Sequence, residues 1–549
     1  MKKVDLTYIG LSLLFAGSCS THSTATYPRS TNESDSVPVI DLGYARYQGA
    51  FDSTNNLTSY LGMRYAAPPL GDLRWQAPQS PASTNDSGIQ QATTQPPTCP
   101  QAGWGVASSY PTQLTKRAET DTDDGSSEDC LFLNVFIPGN TIPTDPLPTM
   151  VWIHGGAYLG GSASMYSGAD ILRDANNEIV VVIIQYRLGI YGFLAGSQVK
   201  ANGALNAAIL DQEFALRWVH SHISKFGGDP SKVTIWGESA GAGSVFLHTI
   251  ANDGQTQPQL FRGAITSSVY VPSMYAYNDT IPEALFSQAV FLANCSSTEN
   301  AMACLRALSY ADLQNINLII NAQGFYGTFI SPPVLDGRLF TRRPIEALKQ
   351  GKVNGESLLS VFNANEGYIF VNQSNPMNAS TYAMNLFPTL DPQVADEMDK
   401  LYASFNSTEQ DMLIMADSMF VCPTYYHLSA FRGKGWKGEF AIPPATHGSD
   451  VPYYYPSLSN LSADPIFQNP DFFNAFSGAF MAFIVSQNPN DKLNETIATP
   501  AWAPYSINRT EMVFNKTGDD EVDIHAKSTE DELLERCRFW ESIAPDTRQ

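Results

Sequence analysis

Basic residues are scarce in this sequence. The 549-residue chain sets 32 lysines and arginines against 54 aspartates and glutamates, a formal net charge of -22. A surface of that sign is repelled by nucleic-acid phosphates and by anionic membranes, which excludes nucleic acid as a partner. Long apolar runs are equally scarce. The stretch from Tyr8 to Gly17 in MKKVDLTYIGLSLLFAGSCSTHSTA is too short to span a bilayer, so no stable membrane insertion is expected. Behind Lys2 and Lys3 and ahead of small residues, it reads as a secretory signal peptide over residues 1–25, cleaved between 18 and 25. There is no internal repeat, and there are only eight histidines, which narrows any search for a catalytic base.

What is present fits a secreted globular protein. A hydrophobic content of 43% supports a large core, expected as a single domain over residues 38–545. Twelve N-x-[ST] acceptors run from Asn32 to Asn515, in keeping with a glycoprotein and a eukaryotic secretory route. Removal of Cys19 with the signal leaves Cys99, Cys130, Cys295, Cys304, Cys422 and Cys537. An even set suits an oxidising compartment, although spacing alone does not choose the pairing.

Short apolar runs alternate with longer mixed ones. Strands are expected at Thr149–Ile153, Ile179–Ile184, Val233–Trp236, Gly263–Thr266 and Leu358–Phe362. Several are continuous β-branched runs of the kind buried on both faces. Between them, Asn206 to Phe226 carries a helical pattern, and the alternation implies an α/β sheet covered by helices.

Within that frame VTIWGESAGAGSV holds a G-x-S-x-G match, Gly237-Glu238-Ser239-Ala240-Gly241, with a strand before it and a helix after it. That is the context of a nucleophile elbow, which makes Ser239 a candidate nucleophile. Its tetrahedral intermediate needs donors for an oxyanion. WIHGG offers the backbone N–H groups of Gly155 and Gly156, to be joined by that of Ala240. In elbow enzymes the acid and then the histidine follow the serine along the chain, which, with His248 set aside on the helix just after the serine, leaves His427, His447 and His525. His427 sits among Tyr425, Tyr426 and Leu428 and reads as core packing, and His525 falls in an acidic, exposed tail. His447, in the loop PPATHGSDVPYYYP, is the candidate base. For the acid, Glu366 in NANEGY follows a strand directly, while Asp336 in VLDGRL is a rival that also suits a turn before Gly337. The residues by themselves leave both open.

These motifs together give the chain a family resemblance. LGMRYAAPPLGDLRW at 61–75, SEDCLFLNVF at 127–136, WIHGGAY at 152–158 and LDQEFALRWVHSHISKFGGDPSKVTIWGESAGAGSV at 210–245 resemble the type-B carboxylesterases and lipases of the α/β-hydrolase superfamily, the secreted fungal members included. The resemblance implies an α/β-hydrolase fold, with a central, mostly parallel sheet, covering helices and large insertions. It implies hydrolysis of neutral carboxylic esters through an acyl-enzyme, on small-molecule substrates and without a cofactor or metal. It assigns Ser239, Glu366 and His447 as the triad, choosing Glu366 over Asp336. It also implies disulfides Cys99–Cys130 and Cys295–Cys304, leaving Cys422 with Cys537, and a lid-like loop over 99–130.

Two departures stand out. Cholinesterases carry a tryptophan shortly before E-D-C-L, whereas here Trp104 lies far from Cys130 in sequence, which disfavours choline esters. The loop ends PYYYP where relatives often have P-Y-x-F-G, so a reshaped pocket wall is expected beyond Asp450. The loop charge favours an esterase over an interface-activated lipase, although Val106, Tyr110 and Leu114 fall at helical spacing and offer an apolar face. The reading from another class is a non-catalytic adhesion protein, whose relatives lose a triad residue that this chain keeps. Nothing in the sequence speaks to oligomeric state.

Overall fold

The computed structural model describes residues 37–109, 125–461, 466–494 and 499–549. The expected signal peptide and residues 110–124 of the lid-like loop, Tyr110 and Leu114 among them, lie outside the described residues.

Among the described residues an 11-stranded sheet forms the centre. Its strands are β1 (Ala50–Asp52), β2 (Leu57–Arg64), β3 (Phe132–Pro138), β4 (Leu147–Ile153), β5 (Val180–Ile184), β6 (Gly228–Glu238), β7 (Gly263–Ser267), β8 (Ser357–Asn363), β9 (Gly435–Phe440), β10 (Thr510–Lys516) and β11 (Val522–Ser528). They lie in the order β11-β10-β9-β8-β7-β6-β4-β5-β3-β2-β1. Pairing is parallel from β5 across to β10 and antiparallel towards both edges.

The continuous apolar runs are explained by the pleat. Successive side chains of a strand point to opposite faces, so a strand covered on both sides has no solvent-facing position and holds a polar residue only where a buried partner meets it. Val180, Val182 and Ile184 join one core with the helices α1 (Ala207–His222) and α2 (Ala240–Ile250). Val181 and Ile183 join the other with α3 (Pro470–Ser486). At about 1.5–3 kcal/mol for each fully buried aliphatic side chain, one short strand stabilises two layers at once.

All five expected strands are present, four of them lengthened by one to several residues and the one expected at Ile179–Ile184 beginning a residue later, and so is the expected helix, as α1 and a short 3-10 extension Ile223–Phe226. Strands β3 and β9 escape a periodicity reading because each buries a polar residue with a partner. Asn134 of β3 accepts from Gly62 N and donates to Gln95. Lys437 of β9, fully buried, faces Glu511 of β10 at 3.4 Å. The expected exposed tail around His525 is instead the edge strand β11, paired along its length with β10. His525 itself is exposed there, bonded to Asp523.

Three disulfides join Cys99 to Cys130, Cys295 to Cys304 and Cys422 to Cys537. Two of the quoted motifs serve to anchor the first of these loops. Arg64 pairs with Asp129 at 2.6 Å, and buried Arg74 with Glu128 at 2.5 Å, so R-Y-A-A-P…L-R-W and E-D-C-L lock together beside Cys130. Among the described residues no helix is long and apolar enough to cross a membrane.

Candidate active site

Strand β6 ends at Glu238 and α2 begins at Ala240, so Ser239 makes the turn alone, with φ 56° and ψ -123°. A positive φ on a non-glycine residue costs on the order of 1–3 kcal/mol and persists only where the surroundings enforce it. Here Ser239 N donates to Ser267 O at 2.9 Å, and Gly243 N donates to Ser239 O at 2.8 Å. The surrounding small residues are a packing requirement. A Cβ at Gly237 would stand 2.4 Å from the Gly241 carbonyl carbon, and one at Gly241 would stand 2.0 Å from Ile153 O. Strand β4 passes that close to the elbow, and the result is a serine partly open to solvent between buried neighbours.

The H-G-G turn follows β4 directly and lies against this serine. A Cβ at Gly155 would meet Ser239 Cβ at 3.1 Å and Glu238 O at 2.7 Å. Gly156 takes φ +95°, and its carbonyl accepts from Leu159 N and Gly160 N. His154 supports the turn from beneath: its Nδ1 donates to Gly155 O at 2.8 Å, and its ring stacks on Tyr186. Burial lowers His154 to about 4, so it is neutral at pH 7. Ala240 opens α2, fully buried.

Glu366, fully buried just beyond β8, meets His447, whose Nδ1 lies 2.5 Å from Glu366 Oε2. The other carboxyl oxygen accepts from Ser268 Oγ at 2.6 Å and from Asn363 N at 2.7 Å. Asn363 also reaches Asp450, so residues from the ends of β7 and β8 and from the histidine loop share one polar network. The His447 ring is flanked by Phe370 and Phe420, at centroid distances of 4.9 and 4.7 Å. Its Nε2 is buried with no hydrogen-bond partner, 3.4 Å from Glu238 Oε1. Burial works to lower the imidazole, but the charge and hydrogen bond of Glu366, with smaller contributions from the charges of Glu238 and Asp450, outweigh it, and His447 is raised above its ordinary value.

The rival residues sit elsewhere. Asp336 accepts from Arg338 N, Phe340 N and Asn206 Nδ2, ahead of Gly337 at φ +71°, which makes it a turn residue. His427 is fully buried, bonded to Thr249, and lowered by burial to about 3.

Three placements were not legible in the sequence. Glu238, the variable residue of the serine motif, is buried beside His447 and pushed up to about 8, chiefly by burial and against the pull of His447. A carboxyl next to a nucleophile was the available signal. Trp104, remote from Cys130 in sequence, nonetheless packs edge-on against Phe370 at 6.3 Å, one ring away from His447. Tyr453, Tyr454 and Tyr455, expected to reshape the pocket wall, go into the core instead. Tyr454 and Tyr455 pack with Trp152 and Tyr454 with Phe480, and the Tyr454 hydroxyl donates to Asp450.

The sequence profile of the Carboxylesterase family matches residues 36–540. Among known proteins, the chain is similar to carboxylesterase patB of Aspergillus clavatus, 30% identical over 555 residues that cover 92% of this chain and 96% of that protein. It is 33% identical to secreted lipase 1 of Botryotinia fuckeliana over 347 residues, 60% of each chain. Among solved structures, that of Aspergillus niger EstA superposes with a TM-score of 0.82 at 29% identity, over 94% of this chain and 99% of the other. With a family match from the first described strands to the last long helix, the chain belongs to the carboxylesterase family, a carboxylic ester hydrolase on an α/β-hydrolase fold.

Proposed function

We propose that the protein is a secreted serine esterase that hydrolyses neutral carboxylic esters through an acyl-enzyme. The observation that carries this reading is the His447–Glu366 hydrogen bond at 2.5 Å, which leaves a buried Nε2 with no hydrogen-bond partner among the described residues, 3.4 Å from the carboxyl of Glu238, the residue before the elbow serine. A serine hydroxyl attacks a carbonyl only when a base takes its proton. In this reading Nε2 of neutral His447 accepts the Ser239 proton as Oγ adds to the ester carbon, and returns it to the departing alcohol. Water then attacks the acyl-enzyme by the same route. Glu366 holds the imidazole in the tautomer whose Nδ1 carries the proton, and it is itself held by Ser268 and Asn363. The N–H groups of Gly155, Gly156 and Ala240 receive the negative charge that develops on the carbonyl oxygen.

Secretion is supported by three disulfides and by the likeness to a secreted fungal lipase. The test is hydrolysis of p-nitrophenyl esters of graded acyl length by wild type and by Ser239→Ala. The variant is expected to fold normally and to lose about 10³-fold or more in turnover. Retention of a tenth of the wild-type rate, or phosphonate labelling at a residue other than Ser239, sinks the reading.

A further inference from the structure

Residues 544–549 belong to none of the motifs above and fall beyond the span of the family match, yet Ala544, Thr547 and Gln549 are buried. The Gln549 carboxamide joins two separate parts of the chain. Its Nε2 donates to Val271 O at 2.6 Å and to Ser418 O at 2.8 Å, and its Oε1 accepts from Thr547 Oγ1 at 2.9 Å. Two more bonds seat the segment: Met274 N donates to Arg548 O at 2.7 Å, and Ser273 Oγ donates to Thr547 O at 2.7 Å.

The two carbonyls that Gln549 bridges belong to residues adjoining the lining of one cavity, in two stretches that meet there: Tyr270 packs against Phe420 at a centroid distance of 5.7 Å. Val271 follows Tyr270 in the stretch after β7, and Ser418 precedes Met419 and Phe420 in a π-helical turn, Asp417–Val421. The cavity is lined by Tyr270, Tyr275, Phe329, Phe370, Met419 and Phe420 among others, and no lining residue among those described is charged. Phe370 and Phe420 are the rings that flank His447, so this uncharged, mostly apolar space lies against the rings beside the base.

A π turn shifts the helical ladder by a residue, and buried carbonyls there need donors from outside the helix. Ser418 O takes its donor from Gln549. The helix before this segment, Asp531–Ser542, grips the turn at both ends: Arg536 Nε donates to Asp417 Oδ2 at 2.6 Å, and Cys537 is bonded to Cys422, just beyond Val421. Val271 N donates directly to Met419 O at 2.9 Å. Gln549 closes the bracket on the other side of that bond.

We infer that Gln549 is a positioning residue that sets the spacing of the Tyr270 and Met419–Phe420 walls, and thereby the size of the apolar group that the site accepts. The inference rests on the serine-esterase reading and on this cavity holding part of the ester. Without the carboxamide, two buried carbonyls lose their donor and the walls separate. Bulky esters then enter more easily, while small ones are held less well against His447.

The test compares wild type with Gln549→Ala and Gln549→Met, the latter keeping the bulk but no donor. Two substrate series are used, p-nitrophenyl esters from acetate to decanoate and acetates of alcohols from ethyl to octyl. In the series whose varied group occupies the cavity, both variants are expected to raise the long-to-short ratio of kcat/KM at least fivefold, through KM of the long ester more than through kcat. Thr547→Val, which frees the carboxamide from its orienting bond, is expected to shift the ratio in the same direction by less, and decides the matter if the Gln549 variants do not fold. A lower Tm with both ratios within twofold of wild type makes the residue merely structural and overturns the inference. Wild type inactive on every ester, or Ser239→Ala still active, overturns the serine-esterase reading instead.

Discussion

Glu238 Oε1 lies 3.4 Å from His447 Nε2 while Glu366 Oε2 holds Nδ1 at 2.5 Å, so the imidazole has a carboxyl group at each nitrogen. The two groups differ in their surroundings. Glu366 accepts hydrogen bonds from Ser268 and Asn363, whereas burial pushes Glu238 up to about 8. Glu238 is therefore the weaker acid of the two, and its charge adds to the pull of Glu366 on the histidine only in so far as it ionises.

That asymmetry shapes the pH dependence. In the proposed mechanism His447 must be neutral to accept the serine proton, and its pKa is raised, so activity is expected to fall on acidification with a midpoint above the ordinary imidazole value of about 6.5. On the alkaline side, ionisation of Glu238 places a charge beside Nε2 and produces a second inflection near 8. Profiles of kcat/KM against pH for wild type and Glu238→Gln check both points. An acid limb centred well below 6.5, or an alkaline inflection that survives in the variant, contradicts this account.

The two acid candidates separate by substitution. Glu366→Gln presents an amide that can donate to the imidazole and stabilise the wrong tautomer, and is expected to lower kcat by about 10⁴-fold. Asp336→Asn disturbs a turn instead. It costs about 1–3 kcal/mol of stability if its amide nitrogen replaces an acceptor of the Asn206, Arg338 and Phe340 donors, and leaves kcat within a few-fold. Turnover and thermal unfolding of the two variants decide between them, and comparable losses of kcat would return Asp336 to contention.

Gly155→Ala tests the contact between the H-G-G turn and the elbow. The added Cβ would meet Glu238 O at 2.7 Å and Ser239 Cβ at 3.1 Å, and the first of these is backbone that cannot swing away. Displacement of the turn is expected to cost at least about 10²-fold in kcat, the scale of one lost oxyanion donor. Gly103→Ala, where a Cβ meets nothing within 4 Å, is the matched control. Wild-type turnover in the Gly155 variant would place the oxyanion elsewhere.

Tributyrin distinguishes an esterase from an interface-activated lipase. Between residues 100 and 129 two basic residues, Lys116 and Arg117, face six acidic ones, Glu119, Asp121, Asp123, Asp124, Glu128 and Asp129, a net charge of -4. Glu128 and Asp129 are committed to Arg74 and Arg64. The sequence of the loop's second half has no apolar stripe to lie on an oil droplet, although Val106 in the first half is 51% exposed. Saturation below the solubility limit is expected, and a sharp rise in rate once droplets form would show an interfacial enzyme.

The elbow is legible in the sequence because its requirements are local. A turn that leaves one side chain clear of a passing strand rejects bulk at neighbouring positions, and Gly237 and Gly241 record that directly. Strands buried on both faces are legible for a similar reason, since the double burial of Val180–Ile184 excludes polar residues at every position. Chain order and the helix after the serine left three histidines and the resemblance chose among the acids, and the structure brings together His447 and Glu366, which are 81 positions apart.

What the chain alone did not determine depends on which surfaces end up against one another. Trp104 is remote from Cys130 in sequence yet packs against a ring that touches His447. Three consecutive tyrosines that read as pocket wall are core, because the chain beyond Asp450 turns under the sheet towards α3. Glu238 has an ordinary place in a motif and an unusual pKa because burial, not sequence context, removes its water. Gln549 bridges Val271 and Ser418 across more than a hundred residues in each case. Periodicity and motif spacing carry near-neighbour sterics, while desolvation and through-space contact arise only when the parallel crossovers have stacked distant segments, and these were decided by the tertiary structure.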